Sequence, residues 1–183
     1  MEVLVGIYQN GVLLPITFKL DDQVISKILG GTAFAAKKHA PILLGRKIKE
    51  YFIPRMKRMM DLAHSAGAYV FHHSDGAVRK IIPDMIEAGI DALNPIQWKC
   101  RGMDREGLKR DFGDKLIFHG GVDNQHTLPF GTKEEVKQEV IDNIRILGKG
   151  GGYILAPCHN IQSVTPPENI VEMYKTGYEY GTG

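Results

Sequence analysis

A chain of 183 residues with 43% hydrophobic and 24% charged side chains has the make-up of an ordinary globular protein, long enough to bury a sizeable core in one domain. Its formal net charge of +2, from 23 Lys and Arg against 21 Asp and Glu, gives no reason to expect nucleic acid or an anionic membrane as partner. Two cysteines, Cys100 and Cys158, form neither a CxxC pair nor a disulfide framework, the start Met1-Glu-Val-Leu-Val-Gly6 lacks a signal-peptide layout, and no run nears the roughly 18 apolar residues of a membrane span, so a cytoplasmic protein is expected.

Residues 1–45 read as an atypical N-terminal segment: apolar runs from Val3 and from Val12 flank the turn signal Asn10-Gly11 as two strands, and Gly30-Gly31 breaks the chain after them. From about Arg46 helical and strand-like runs alternate. Tyr51, Phe52, Met56, Met59, Met60 and Ala63 mark one helical face, with Pro54 either opening a second helix or kinking a continuous one. A strand from Ala68 to His73 comes next, then a helix carrying Val78, Ile81, Ile82, Met85 and Ile86 that ends near Gly89. Ile90-Asp-Ala-Leu-Asn-Pro95 is the second strand, Leu108 and Phe112 belong to a shorter helix, and Lys115-Leu-Ile-Phe-His-Gly-Gly121 is the third strand. Thr132 with Glu135 predicts a capping box opening a helix that turns Val136, Val140, Ile144 and Leu147 inward. Gly152-Tyr-Ile-Leu-Ala-Pro157 is the fourth strand, and Thr165-Pro-Pro-Glu168 repeats the capping pattern before a last helix. Four strands separated by helices need crossover connections, so residues 46–183 predict an α/β domain with a parallel sheet, half the count of an eightfold barrel.

Polar groups collect where these strands end. His73 and Asp75 lie two residues apart, on one side of an extended chain and roughly 6.6 Å apart by the strand rise, and Cys158-His-Asn-Ile-Gln162 comes after the fourth strand. Asn94 and Gln97 end the second strand, where amides either orient a substrate or make a turn before Pro95. Asp123 ends the third, after two glycines that leave room for a ligand. His72 points opposite to His73 and reads as a hydrogen-bonded packing residue. Trp98, Lys99 and Arg101 face either an anionic ligand or solvent.

Pro54-Arg-Met-Lys-Arg58 with Asp61-Leu-Ala-His64, His73-Ser-Asp-Gly76, Gly89-Ile-Asp-Ala-Leu-Asn-Pro95 with Gln97, Met103-Asp104, Gly120-Gly-Val-Asp123, and Pro157-Cys-His-Asn-Ile161 with Pro166-Pro-Glu-Asn169 resemble, in order and spacing, the uroporphyrinogen decarboxylase superfamily. That superfamily includes corrinoid-dependent methyltransferases, to whose branch this chain is the more similar. The resemblance implies a (β/α)8 TIM-type barrel of which this chain matches the C-terminal half. It also implies a metal site: the methyltransferases carry His-x-Cys-Gly at His73-Ser-Asp-Gly76, so Asp75 stands at the Cys position and His159, or Cys158 beside it, at the third ligand. A two-His, one-carboxylate set suits zinc or another divalent metal with a position open for substrate. The bland alternative has His73 and Asp75 hydrogen-bonding each other and nearby amides.

The expected function is metal-assisted methyl transfer from a small methylated substrate to a corrinoid on a partner protein, with Asp123 and His159 catalytic and Asn94, Gln97 and Asp123 shaping the pocket. Two alternatives stand beside it: cofactor-free porphyrinogen decarboxylation, in which His159 and a carboxylate handle protons, and a catalytically incomplete half barrel that binds or assembles. Gly121-Val-Asp-Asn124 replaces the decarboxylase Asn-Leu-Asp-Pro signature. Open sheet edges predict a homo-oligomer or a separate chain supplying the first half.

Overall fold

In the computed structural model residues 2–9, 12–19 and 47–181 are described, the first two segments as backbone. Gly30-Gly31 lies outside them. The described residues fall into two compact units: those up to His73 together with Ile81–Asp91, and Ser74–Lys80 together with the chain from Ala92.

In the first unit, β1 (Glu2–Gln9) and β2 (Val12–Lys19) pair antiparallel, Gln9 against Val12, the two strands expected there, while Asn10-Gly11 itself lies outside the described residues. β3 (Tyr69–His73) pairs antiparallel with β1, Val5 opposite His72. The open edge expected at β3 is therefore corrected: the hairpin supplies backbone partners for it. A π-turn over Ile48–Phe52 leads into α1 (Ile53–Ser65), which Pro54 opens from its first turn, where a missing N–H costs nothing. Met60 and Ala63 form its buried face. A 3-10 turn (Arg79–Ile81) precedes α2 (Ile82–Ala88), which stops at Gly89 in the left-handed region, φ 106°. Asp91 Oδ2 ties this unit together, accepting from Val70 N at 2.6 Å and meeting His64 Nε2 at 2.9 Å. His72 is buried as expected, but its Nδ1 has no hydrogen-bond partner, and burial, then the neighbouring His73, lower its pKa to about 4. It packs as the neutral ring.

The second unit carries β4 (Ala92–Asn94), β5 (Ile117–Val122) and β6 (Tyr153–Pro157), parallel and in register, Ala92 against Ile117 and Phe118 against Tyr153. α3 (Arg105–Phe112) is capped by Asp104, which accepts from Gly107 N at 2.7 Å. A one-turn helix, α4 (Thr127–Phe130), precedes α5 (Lys133–Leu147), where the predicted capping box forms in full: Thr132 Oγ1 accepts from Glu135 N and Glu135 Oε2 from Thr132 N. α6 (Pro167–Gly181) differs from expectation. The buried Thr165 hydroxyl makes no hydrogen bond, and Asn169 anchors the helix start by donating to Leu128 O and Gly131 O. Val122, Leu128, Val136, Val140 and Met173 are fully buried together, so β5, α4, α5 and α6 share one core.

Strand followed by helix four times from Tyr69 to Gly181 is the α/β element order of half a (β/α)8 barrel. Among the described residues no helix is long and apolar enough to cross a membrane.

Candidate functional site at the ends of β4 and β5

The loop leaving β4 is laced to the end of β5. After a cis Asn94–Pro95 peptide, Ile96 N donates to His119 O at 3.0 Å and Trp98 Nε1 to Gly121 O at 2.9 Å. Gly120 and Gly121 have φ of 107° and 92°. A Cβ on Gly120 would lie 3.2 Å from Ile96 N, and one on Gly121 3.2 Å from both Asn143 Nδ2 and Tyr153 Oη. The space these glycines leave is thus filled by the protein itself rather than held for a ligand.

Asp123 lies just past this constriction and is 7% exposed. Its carboxylate accepts from Lys99 Nζ at 2.5 Å and from Gln125 N at 2.9 Å, with His126 Nδ1 at 3.4 Å. Burial works to raise its pKa, but the Lys99 hydrogen bond, the backbone amides of Gln125 and Thr127 and the Lys99 charge outweigh that and hold it below the usual carboxylate range. Glu139, reaching up from α5, accepts from Asp123 N at 2.6 Å and from Thr127 Oγ1 at 2.6 Å. Lys99 also donates to Thr127 Oγ1 at 3.0 Å. One cation thus joins two buried carboxylates and a hydroxyl, which satisfies each of them in a poorly hydrated place.

The other expected site residues have definite places. Asn94 Nδ2 meets His119 Nδ1 at 2.7 Å, and burial lowers the His119 pKa, so the ring is neutral and accepts. Gln97 Oε1 accepts from Gly76 N at 2.6 Å, a loop-fixing role. Cys158 is buried and donates to Ile96 O at 3.3 Å. Burial pushes its thiol up to about 12, away from the thiolate a metal ligand needs. Asp75 and His159 are exposed and His73 half-buried, each with interactions of its own. Among the described residues no three His, Cys, Asp or Glu side chains are grouped to hold a metal ion.

Lys99, treated in the sequence as loop or ligand contact alike, is the hub, and Glu139, Thr127 and His126 were not singled out. Glu139 did carry a signal: with Val136, Val140 and Asn143 it shares one helical face, and a carboxylate on a core face must meet a partner. Beside this hub lies an open cleft of about 530 Å³ bounded by Trp98, Lys99, Arg105, Thr127, Phe130 and the outer side of α5. Arg105 stacks on the Trp98 ring at 4.1 Å and donates to Asn143 Oδ1 at 2.8 Å.

Known proteins share this stretch of chain. The uroporphyrinogen decarboxylase (URO-D) family matches residues 33–180. The chain is 30% identical over 83 residues to a uroporphyrinogen decarboxylase of Psychromonas ingrahamii, 45% of this chain and 22% of that protein. It is 29% identical over 123 residues to the methylcobamide:CoM methyltransferase MtaA of Methanosarcina barkeri, 67% of this chain and 34% of the relative. For MtaA of the Fusaro strain the figures are 26% over 148 residues, 81% and 41%. The matches thus span between 22% and 41% of these relatives' lengths.

Proposed function

The chain belongs to the uroporphyrinogen decarboxylase family, and on that premise we propose that it takes part in methyl transfer between a small substrate and a corrinoid, as one portion of a barrel completed by further polypeptide. The observation that carries this reading is the reach of the match to MtaA of the Fusaro strain, 148 residues and 81% of this chain, against 125 residues and 61% for a uroporphyrinogen decarboxylase of Pseudoalteromonas translucida. His73-Ser-Asp-Gly76 adds to it, as the sequence counterpart of the methyltransferase ligand motif.

The chain's own part would lie at the ends of β4 and β5. Asp123, ionised and fixed, holds the Lys99 ammonium beside the cleft, where the 42% of that side chain left exposed would let its remaining N–H meet an anionic substrate group. His159, exposed after β6, would stand ready to hold or pass a proton. The described residues gather no set of three ligands for the zinc that the methyltransferase resemblance implies.

The 30% identity to the decarboxylase favours a second reading, porphyrinogen decarboxylation. One experiment separates the readings. The purified chain, alone and co-expressed with a family N-terminal half, is given methylcobalamin with 2-mercaptoethanesulfonate, and in parallel uroporphyrinogen. Methyl transfer breaks the Co–C bond, forms an S–C bond, releases the thiol proton and leaves Co(I), read as loss of the methylcobalamin spectrum with formation of the thioether. Thioether formation above the protein-free rate supports the proposal. Decarboxylated porphyrinogen without thioether replaces it with the second reading, and neither product overturns both in favour of a binding or assembly subunit.

A further inference from the structure

The cleft beside Lys99 has walls of opposite sign. On α5, Glu135, Gln138, Glu139 and Asp142 succeed one another at i, i+3, i+4 and i+7, so a single helical stripe of acid and amide groups faces the opening. Facing it are Lys99, Arg105 and His126 around Trp98. The walls meet at the floor, where Asp123 holds Lys99 at 2.5 Å and has His126 Nδ1 at 3.4 Å. On α5 one oxygen each of Glu135 and Asp142 is engaged, Glu135 Oε2 by Thr132 N at 2.7 Å and Asp142 Oδ1 by Arg145 at 3.0 Å, so Glu135 Oε1, Asp142 Oδ2 and the Arg105 guanidinium carry the charge left for a ligand. Glu139 sits at the floor with both oxygens engaged, Oε1 by Asp123 N and Oε2 by Thr127 Oγ1, and lies 3.9 Å from Lys99 Nζ. The contacts of Arg105 are with neutral groups, the Asn143 amide oxygen and the indole face. Its charge is therefore presented to the cleft beside a carboxylate-lined helix. A volume of about 530 Å³ is that of a small-molecule site.

We propose that this cleft binds a small zwitterion, such as an amino acid, with the carboxylate against Arg105, Lys99 and His126 and the ammonium against Glu135 and Asp142. A ligand with only one charge would meet attraction at one wall and repulsion at the other, so selectivity for the dipolar molecule comes from placement alone. The inference rests on the cleft and not on methyl transfer, and binding can be read without turnover.

Trp98 is the only tryptophan in the sequence, and its ring lies 4.1 Å from the Arg105 guanidinium and 5.2 Å from Lys99 Nζ, so its emission reports on a ligand that draws either cation. The full chain is titrated with glycine, glycine betaine, 4-aminobutyrate and 6-aminohexanoate, and separately with butyrate and butylammonium. The expected result is a saturable change with at least one zwitterion, at an affinity about tenfold or more above both single-charge compounds, which is the discrimination one charge-assisted contact supplies. Asp142→Asn should bring the zwitterion down to the affinity of butyrate, and His126→Ala, at a side chain 75% exposed, should weaken zwitterion and butyrate alike. No saturable change, single-charge compounds binding as tightly, or an Asp142→Asn variant indistinguishable from the parent would each overturn the assignment.

Discussion

Replacing Asp123 by Asn removes the charge at the centre of the Lys99 hub while keeping the side chain's shape. Gln125 N retains an acceptor and Lys99 retains Thr127 Oγ1, but the amide Nδ2 then faces the Lys99 ammonium, donor towards donor, so the loss is at least one charge-assisted hydrogen bond. Such a bond contributes about 1.5–3 kcal/mol, and the partial exposure of Lys99 lets water recover some of it, which leaves an expected destabilisation of about 1–2 kcal/mol at neutral pH. The pH dependence has a definite sign. The folded-state pKa of Asp123 is lowered, so its contribution is fully present above the ordinary carboxylate value of about 3.9 and disappears as pH falls through the lower folded value. Urea unfolding of parent and Asp123→Asn from neutral pH downwards should show two stability curves that converge in acid. Equal stability at neutral pH, or a gap that persists undiminished in acid, would refute the view that the ionised carboxylate anchors the hub.

Other consequences are open to the same kind of measurement. Thr132→Ala removes the hydroxyl half of the α5 capping box and should cost about 1 kcal/mol by denaturant unfolding. Thr165→Val deletes a buried hydroxyl without a partner, so stability should stay level or rise by up to about 1 kcal/mol; a clear loss would mean that the hydroxyl is hydrogen-bonded in solution. Gly121→Ala forces a Cβ to within 3.2 Å of Asn143 and Tyr153 at a φ of 92°, and a loss of about 1–3 kcal/mol is expected from thermal melts. With its thiol pushed up to about 12, Cys158 should resist an aromatic disulfide reagent at neutral pH in the folded protein and react on unfolding, with the half-exposed Cys100 as internal comparison.

Element order and most boundaries were legible in the sequence because they depend on neighbours along the chain. The pairing of β1 with β2, the Thr132–Glu135 capping box, the stop at Gly89 and the opening of α1 at Pro54 are set by which residues tolerate which local backbone, and the structure has each of them. The same local logic failed at Thr165, where a matching pattern lacks its hydrogen bond, while Asn169 reaches carbonyls 41 and 38 residues away and anchors the helix start. Asp123 was recognised as a strand-end carboxylate, but its partners were not: Lys99 is 24 residues away in sequence, and only the parallel pairing of β4 with β5 brings the two together. Likewise, whether Gly120 and Gly121 admit a ligand or the protein's own atoms depends on what packs opposite them, namely Ile96, Asn143 and Tyr153. Backbone preference and hydrophobic period are short-range and can be read along a chain, whereas the partner of a charge is chosen by how strands and helices pack, and here the packing made a lysine of an unremarkable loop the centre of the candidate site.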